Sequence, residues 1–491
     1  MTMQASPALA ARVDWDGREL RLHGVDGEIE LWLDGVFYAR LAGQDGAARL
    51  ALPCAPNGRT RVNLELRRGA ACSAAVALES GRAGLGRAAA ALPLAPLEND
   101  EYVDIAACAA GLAGEAAIVV PVYNAPQAVR ACLDSVLAHT RGAARLIVID
   151  DASPDPAVAP LLQDYAGRRG VSVLRNEQNL GFTGTANRGI AAAGRADVVL
   201  LNADTEVAPH WLCGLRRAAW SHAAIASATA VSDNAGAFSV PELEQENPLP
   251  QDWSFAQAAL ALWQQAGTAY PRLPTGNGFC LYLKRAALDA VGVLDAEAFP
   301  QGYGEENDWC QRAAAAGWQH VIAGNVLVRH ARSQSFGHER RRALGEAGMA
   351  VLRRRWPHYE SEVGASLFSP RRRVLDWRVR RLYAEAPPLP RLLCWEDAEV
   401  GATNHSAWRA GFGGGGIWLQ GPQGVQETFG SENLAAAAAR ADQAAAFARL
   451  LQRWAIARIS GALPAHLAAV AAALNIAGDG WRVANPFGDG A

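Results

Sequence analysis

The spacing of hydrophobic residues changes twice along the chain. From residue 12 to about residue 95 apolar and polar positions alternate in short runs, among them Arg18-Glu-Leu-Arg-Leu22, Glu28-Ile-Glu-Leu-Trp-Leu33 and Arg61-Val-Asn-Leu-Glu-Leu66. A period of two marks strands with one buried face, and Asp34-Gly35 between two such runs is a strong hairpin signal. The pattern predicts a small antiparallel sandwich, a β-rich accessory domain over residues 1–110. It holds no cluster of catalytic residue types, so it reads as a packing or acceptor-presenting module.

Near residue 115 the pattern becomes strand and helix in turn. Continuous apolar runs at 117–120, 146–149, 171–174 and 197–201 alternate with helical spacings at 126–137, 158–165 and 184–193. Repeated units of this kind predict an α/β fold, a Rossmann-like and mostly parallel sheet covered by helices on both faces. Residues 111–360 form this unit. Four arginine-rich runs then follow between 340 and 381 (Arg340-Arg-Arg, Arg353-Arg-Arg-Trp, Arg371-Arg-Arg and Arg378-Val-Arg-Arg), with 361–390 expected as a basic linker. The plain reading of the runs is a solvated helical face, and the sharper one is peripheral membrane contact through anionic headgroups or a lipid-diphosphate acceptor. A third part, 391–491, opens on an apolar strand and ends in an Ala-rich helical tail, a partial α/β segment.

Composition narrows the partners. A formal net charge of −3 over 491 residues gives no reason to expect nucleic acid. The eight cysteines stand singly with no C-x-x-C pair, which argues against a zinc ribbon or disulfide framework and fits a reducing compartment. No basic start with an apolar run opens the chain, and no stretch approaches ~18 consecutive apolar residues. A cytoplasmic protein, peripheral at most to the inner face of a membrane, is the expectation; oligomeric state is not readable. Lys284 is the only lysine, which reads as coding bias in an arginine- and alanine-rich chain.

Candidate chemistry lies at the strand ends. The first apolar run ends in Pro121-Val-Tyr-Asn124, the second in Asp150-Asp-Ala-Ser-Pro-Asp155, and the fourth in Asn202-Ala-Asp204, while the third leads into Asn179-Leu-Gly-Phe-Thr-Gly-Thr-Ala-Asn187. Each alone is an ordinary turn sequence. Four in order, each where such sheets bind ligands, make a site. Further on stand Thr275-Gly-Asn-Gly-Phe279, the acidic helix start Gly302-Tyr-Gly-Glu-Glu-Asn-Asp-Trp-Cys-Gln-Arg312, and His330. Acids in a first turn complement the helix dipole whatever else they do.

Together these motifs resemble the family 2 glycosyltransferases of A-type (GT-A) fold, especially the branch with bacterial rhamnosyl- and galactofuranosyltransferases; the likeness covers residues 115 to about 360. It implies a nucleotide pocket lined by Pro121, Tyr123 and Asn124, a base contact from Asp150 or Asp151, and a loop beneath the nucleotide made by Asn179, Gly181, Phe182 and Asn187. Asn202-Ala203-Asp204 matches the metal motif, usually Asp-x-Asp, so asparagine replaces its first acid and Asp204 is left to hold Mg²⁺ or Mn²⁺. Among Glu305, Glu306 and Asp308 the match makes Glu306 the general base, with an ordinary, ionised carboxylate, and points Asp308 at the acceptor. His330 is implied as a second metal ligand, with Ser333 or Ser335 near the phosphates.

The implied function is inverting, metal-dependent transfer of a single sugar, of hexosyl type, from a nucleotide-diphosphate sugar to a hydroxyl of a glycan or lipid-linked glycan, in bacterial surface polysaccharide or glycoconjugate synthesis. The Gln-x-x-Arg-Trp spacing of processive relatives is absent, which favours single transfer. The tail resembles a sparse N-lobe of a B-type (GT-B) glycosyltransferase, too short to be a whole one. Two alternatives stand beside this: a catalytically inactive sugar-nucleotide-binding protein of the same fold, and a nucleotidyltransferase, whose Gly-rich basic start is missing. Residues 110–385 are expected to act alone.

Overall fold

The computed structural model describes residues 11–15, 19–51, 62–69, 71–79, 82–85, 103–267, 270–331, 338–396, 398, 404–413, 416–430 and 437–488. Ser333 and Ser335 lie outside them. The central unit has strands β1 (Ala116–Val122), β2 (Ala144–Asp150), β3 (Val171–Arg175), β4 (Asp197–Leu201), β5 (Thr205–Glu206), β6 (Ile225–Ser232), β7 (Cys280–Leu283) and β8 (Gln319–His330). Its helices are α1 (Pro126–His139), α2 (Val158–Gln163), α3 (Gly181–Ala192), α4 (Trp211–Trp220), α5 (Phe255–Gln265), α6 (Arg285–Val291), α7 (Glu305–Ala315), α8 (His338–Arg355), α9 (Tyr359–Leu367) and α10 (Pro370–Tyr383).

One eight-stranded sheet runs in the order β3-β2-β1-β4-β7-β6-β8-β5. β1 to β4 are mutually parallel, and β7 enters antiparallel between β4 and β6. The α/β class expected for the unit holds, with a mixed second half. Period-two geometry explains the continuous apolar runs. Ile118, Val120 and Val122 enter the core on one face of β1, and Ala117 and Val119 enter a second core on the other. Leu146 and Val148 part from Ile147 and Ile149 in the same way. With both faces covered, polar residues are excluded until the strand ends.

The N-terminal part is β, as expected. One antiparallel sheet joins Arg12–Trp15, Glu19–His23 and Ala47–Ala51, and a second is built on Gly27–Leu33, Val36–Gly43 and Val62–Arg68. Asp34 (φ 51°) and Gly35 (φ 76°) turn the hairpin with both residues left-handed, the geometry that matches strand twist. The C-terminal part is α/β: a six-stranded sheet with Arg391–Trp395 near its middle, covered by helices Ala437–Arg453 and Ala465–Ala473.

The basic linker expected over 361–390 is instead a pair of helices, and α10 is mostly buried. Arg372 donates to the carbonyls of Ala237 (2.7 Å) and Ser239 (2.6 Å) and to Asp376 (2.9 Å). Arg378 donates to Ala266 O, and Arg381 pairs with Asp34. Solvated arginines were the wrong expectation for this helix, because buried carbonyls satisfy the guanidiniums. Val374 and Trp377 on α10 belong to the N-terminal domain's core, where the Trp377 indole donates to Leu33 O.

The C-terminal part is fastened with similar contacts. Gln452 exchanges hydrogen bonds with the Val103 backbone, Arg217 donates to Leu474 O, and Arg391 donates to Gln264 O. Cys213, Trp263 and Ala455 form one buried cluster across the junction. Independence of residues 110–385 therefore conflicts with the packing. Truncation to that span should lower the thermal midpoint and promote aggregation even though every cavity residue remains, because it leaves Arg217 and Trp263 uncovered. Differential scanning fluorimetry with size-exclusion chromatography checks this; a monodisperse fragment melting with the full chain would contradict it.

Candidate active site

At the end of β1 the chain turns sharply. Asn124 (φ 60°) and Ala125 (φ 54°) are both left-handed, a costly conformation for non-glycine residues and one that clusters at functional sites. Pro126 then opens α1, where its missing N–H costs nothing. The Asn124 N–H donates to Ser153 Oγ (2.9 Å) and its Oδ1 accepts from the Asp155 N–H (3.2 Å), tying this turn to the loop after β2.

The adjacent acids after β2 do different work. Asp150 accepts from the Ser153 N–H (2.9 Å) and pairs with Arg175, away from the cavity. Asp151 Oδ1 accepts from the Leu180 N–H and Asn176 Nδ2 (both 2.7 Å), fixing the start of α3. α3 starts at Gly181, three residues earlier than its spacing suggests. Gly181 has φ 74°, and a Cβ there would lie 2.1 Å from Pro300 O. The Asn179 side chain accepts from the Gly181 N–H (3.1 Å).

These loops enclose a cavity of ≈ 160 Å³. Pro121, Tyr123, Asn124, Asp151, Asn179, Gly181, Phe182, Asn202, Ala203 and Asp204 line it, as the motifs led one to expect. Asp150 and Asn187 do not. Asn187 is a correction: its amide donates to Leu294 O (2.8 Å) and accepts from Leu294 N (3.1 Å), so it fastens α3 to the loop after α6. Val122 and Thr185, inside two of the motif stretches, also line it, and sequence reasoning missed Ala125, Ala128, Val129 and Gln301. The helix period of α1 could have found Ala128 and Val129; nothing marked Gln301.

Asp204 and His330 meet because β5 pairs with β8, opposing Thr205 to His330. His330 Nε2 lies 3.3 Å from Asp204 Oδ1, and Nδ1 faces the Asn234 carbonyl at 3.1 Å. A carbonyl can only accept, so Nδ1 carries a proton. Nε2 is then the ring atom turned toward the Asp204 carboxylate. Among the described residues no three His, Cys, Asp or Glu side chains cluster as a metal site, so this pair offers two protein donors.

The acidic helix start is set by a tight loop. Gly302 (φ 86°), Tyr303 (φ 66°) and Gly304 (φ 145°) precede α7, and a Cβ on Gly304 would come within 2.6 Å of the Phe299 ring. Glu305 is buried and accepts from the Gly304 N–H at 3.0 Å. Burial, then the neighbouring Glu306 charge, pushes its carboxyl well above the ordinary range. Burial also pushes Glu306 up, which overturns the expectation of an ordinary carboxylate: desolvation outweighs the helix terminus. Among the described residues, Glu306 Oε2 is buried without a hydrogen-bond partner. The Gly278 backbone beside Glu306 also packs against Phe182, a cavity wall.

Asp308 does not face an acceptor. It is wholly buried and accepts from Arg312 Nε (2.9 Å), Arg355 Nη1 (3.1 Å) and Trp356 Nε1 (3.0 Å). With both oxygens engaged, it clamps α7 to the end of α8.

Residues 117–289 match the family model described as glycosyl transferase family 2. The protein y4gI of Sinorhizobium fredii, itself uncharacterised, is 26% identical over 266 residues, 50% of this chain and 28% of that protein. The uncharacterised glycosyltransferase YibD of Escherichia coli is 34% identical over 92 residues, 19% of this chain and 26% of its own length. The matched stretches thus span about a quarter of those relatives. Among solved structures, the mannosyltransferase PcManGT of Pyrobaculum calidifontis, in complex with GDP-Man and Mn²⁺, is similar at 15% identity and a TM-score of 0.38, over 53% of this chain and 72% of that one.

Gly181→Ala tests the cavity's construction. The new methyl must displace the Pro300 carbonyl and hold a left-handed φ, which alone costs ~1–2 kcal/mol. It should lower the thermal midpoint, whereas Gly345→Ala on α8, where nothing lies within 4 Å, should be neutral or stabilising by up to ~1 kcal/mol. Equal midpoints for the two variants would contradict the geometry.

Proposed function

From a family 2 glycosyltransferase domain matched over residues 117–289, we propose that the protein transfers a single sugar, of hexosyl type, from a nucleotide-diphosphate sugar to an acceptor hydroxyl with inversion and with a divalent metal. The carrying observation is the cavity's charge. Asp151 and Asp204 line it, and among the described residues that line it none is Lys, Arg or His. A diphosphate cannot rest against carboxylates unless a cation intervenes.

Asp204 and His330 are suited to hold that cation. Mg²⁺ often takes one or two carboxylates with substrate phosphates. When bound, the ion neutralises charge developing on the departing diphosphate. Asn202 keeps a hydrogen-bonding side chain at the wall without adding a third negative charge. Tyr123, Asn124 and Asp151 are assigned to the base and ribose end, where Asp151, not Asp150, lines the space.

Glu306 is assigned as general base. An unpaired carboxylate oxygen can accept the proton of an acceptor hydroxyl while that oxygen attacks the anomeric carbon from the face opposite the leaving group. Glu305 shapes the turn before it. Asp308 serves the base by holding α7 in place. An inactive binding protein would have no use for an unsatisfied buried carboxylate oxygen, which is destabilising on its own. A glycan or lipid-linked glycan of a bacterial surface polysaccharide remains the proposed acceptor class, with a cytoplasmic, membrane-peripheral location. No helix among the described residues is long and apolar enough to cross a membrane.

Glu306→Gln keeps the side chain's shape and removes its basicity, so turnover should fall by ~10²–10⁴ with donor affinity unchanged. In the wild type the rate should fall on acidification at a pH above the ordinary glutamate range, because burial raises the pKa through which the base gains its proton. Steady-state kinetics with the donor that supports turnover, from pH 5 to 9, checks both. A Glu306→Gln enzyme near wild-type rate would remove the assignment.

A further inference from the structure

Gln301 differs from every other residue lining the cavity in where it comes from. The others belong to 121–129, 151, 179–185 and 202–204, the strand ends of the first half of the sheet. Gln301 comes from the loop that opens α7, five residues before Glu306. It therefore joins the wall of the nucleotide cavity to the loop that carries the base. A donor's sugar must lie between these two regions if its anomeric carbon is to face a hydroxyl activated by Glu306.

That loop is held firmly. Thr183 Oγ1 on α3 donates to Phe299 O, and Pro300 O and Gln301 Nε2 crowd the space beside Gly181. Among the described residues, none hydrogen-bonds the Gln301 carboxamide, so its N–H₂ and C=O are both available to a ligand. A carboxamide reads a hydroxyl as donor or as acceptor and carries no charge.

We propose that Gln301 determines donor-sugar specificity by hydrogen bonding the hydroxyls of an uncharged sugar, and that the site rejects sugars bearing a carboxylate. This rests on the nucleotide-sugar reading above. A uronate would add a further negative charge to a cavity that already has Asp151 and Asp204 and, among the described residues, no cationic side chain in its wall. A neutral hexose meets no such repulsion.

The test is calorimetry on the full chain in Mn²⁺, comparing UDP, GDP and dTDP with UDP-glucose, GDP-mannose, dTDP-glucose and UDP-glucuronate. The wild type should bind a neutral nucleotide sugar more tightly than its own diphosphate and more tightly than UDP-glucuronate. Gln301→Ala should reduce the preference for sugar over diphosphate by about tenfold, the worth of one well-placed hydrogen bond, while affinity for the diphosphate stays unchanged. Gln301→Arg should raise affinity for UDP-glucuronate. An unaltered preference in Gln301→Ala, an equal loss of diphosphate binding, or a wild-type preference for the uronate overturns the role of Gln301 alone. Failure of the wild type to bind any of these nucleotides overturns the underlying reading together with it.

Discussion

Burial of the central sheet on both faces is the constraint from which the site follows. β1, β2 and β4 send successive side chains into two separate apolar cores. No polar group is tolerated along their length, so polar chemistry gathers where the strands end and water returns. Asn124, Asp151 and Asp204 all follow strand ends of one edge. The cavity is the gap between the loops that this edge requires.

The second half of the unit brings two further elements to that edge. Antiparallel pairing of β5 with β8 delivers His330 to Asp204, and the left-handed turn at 302–304 delivers α7. Asp308 spends its whole hydrogen-bonding capacity on Arg312, Arg355 and Trp356. A buried carboxylate so engaged makes a rigid joint, and its loss would leave cationic and indole groups unpaired. Glu306 keeps one carboxylate oxygen, Oε2, without a partner among the described residues. Its neighbours Glu305 and Asp308 hold the turn and the helix on either side.

The fold was largely legible in the sequence because period-two runs and strand–helix alternation are direct imprints of burial. The cavity wall was legible for the same reason, since each motif sits at a strand end. Position in sequence does not reveal which way a side chain turns. Asn187 and Asp308 carry the right chemistry but are consumed by Leu294 and by Arg312, Arg355 and Trp356, contacts made from distant parts of the chain. The arginines of α10 misled in the opposite sense, because Arg372 and Arg378 find backbone carbonyls that no residue pattern advertises, and Arg380 and Arg381 pair with the distant acids Glu242 and Asp34. Gln301 stands just outside the motif that starts at Gly302, and the approach of its loop to Gly181 brings it to the cavity.

The central claim is that a cavity lined by carboxylates, with no cationic side chain among the described residues of its wall, works as a nucleotide site through a divalent ion at Asp204 and His330. Crystals grown with Mn²⁺ and a nucleoside diphosphate, measured at the manganese absorption edge, test it most directly. The account predicts one anomalous peak held jointly by Asp204, His330 and the diphosphate, and its disappearance in Asp204→Ala. A nucleotide bound in the cavity with no anomalous peak, or with the peak elsewhere, would contradict it.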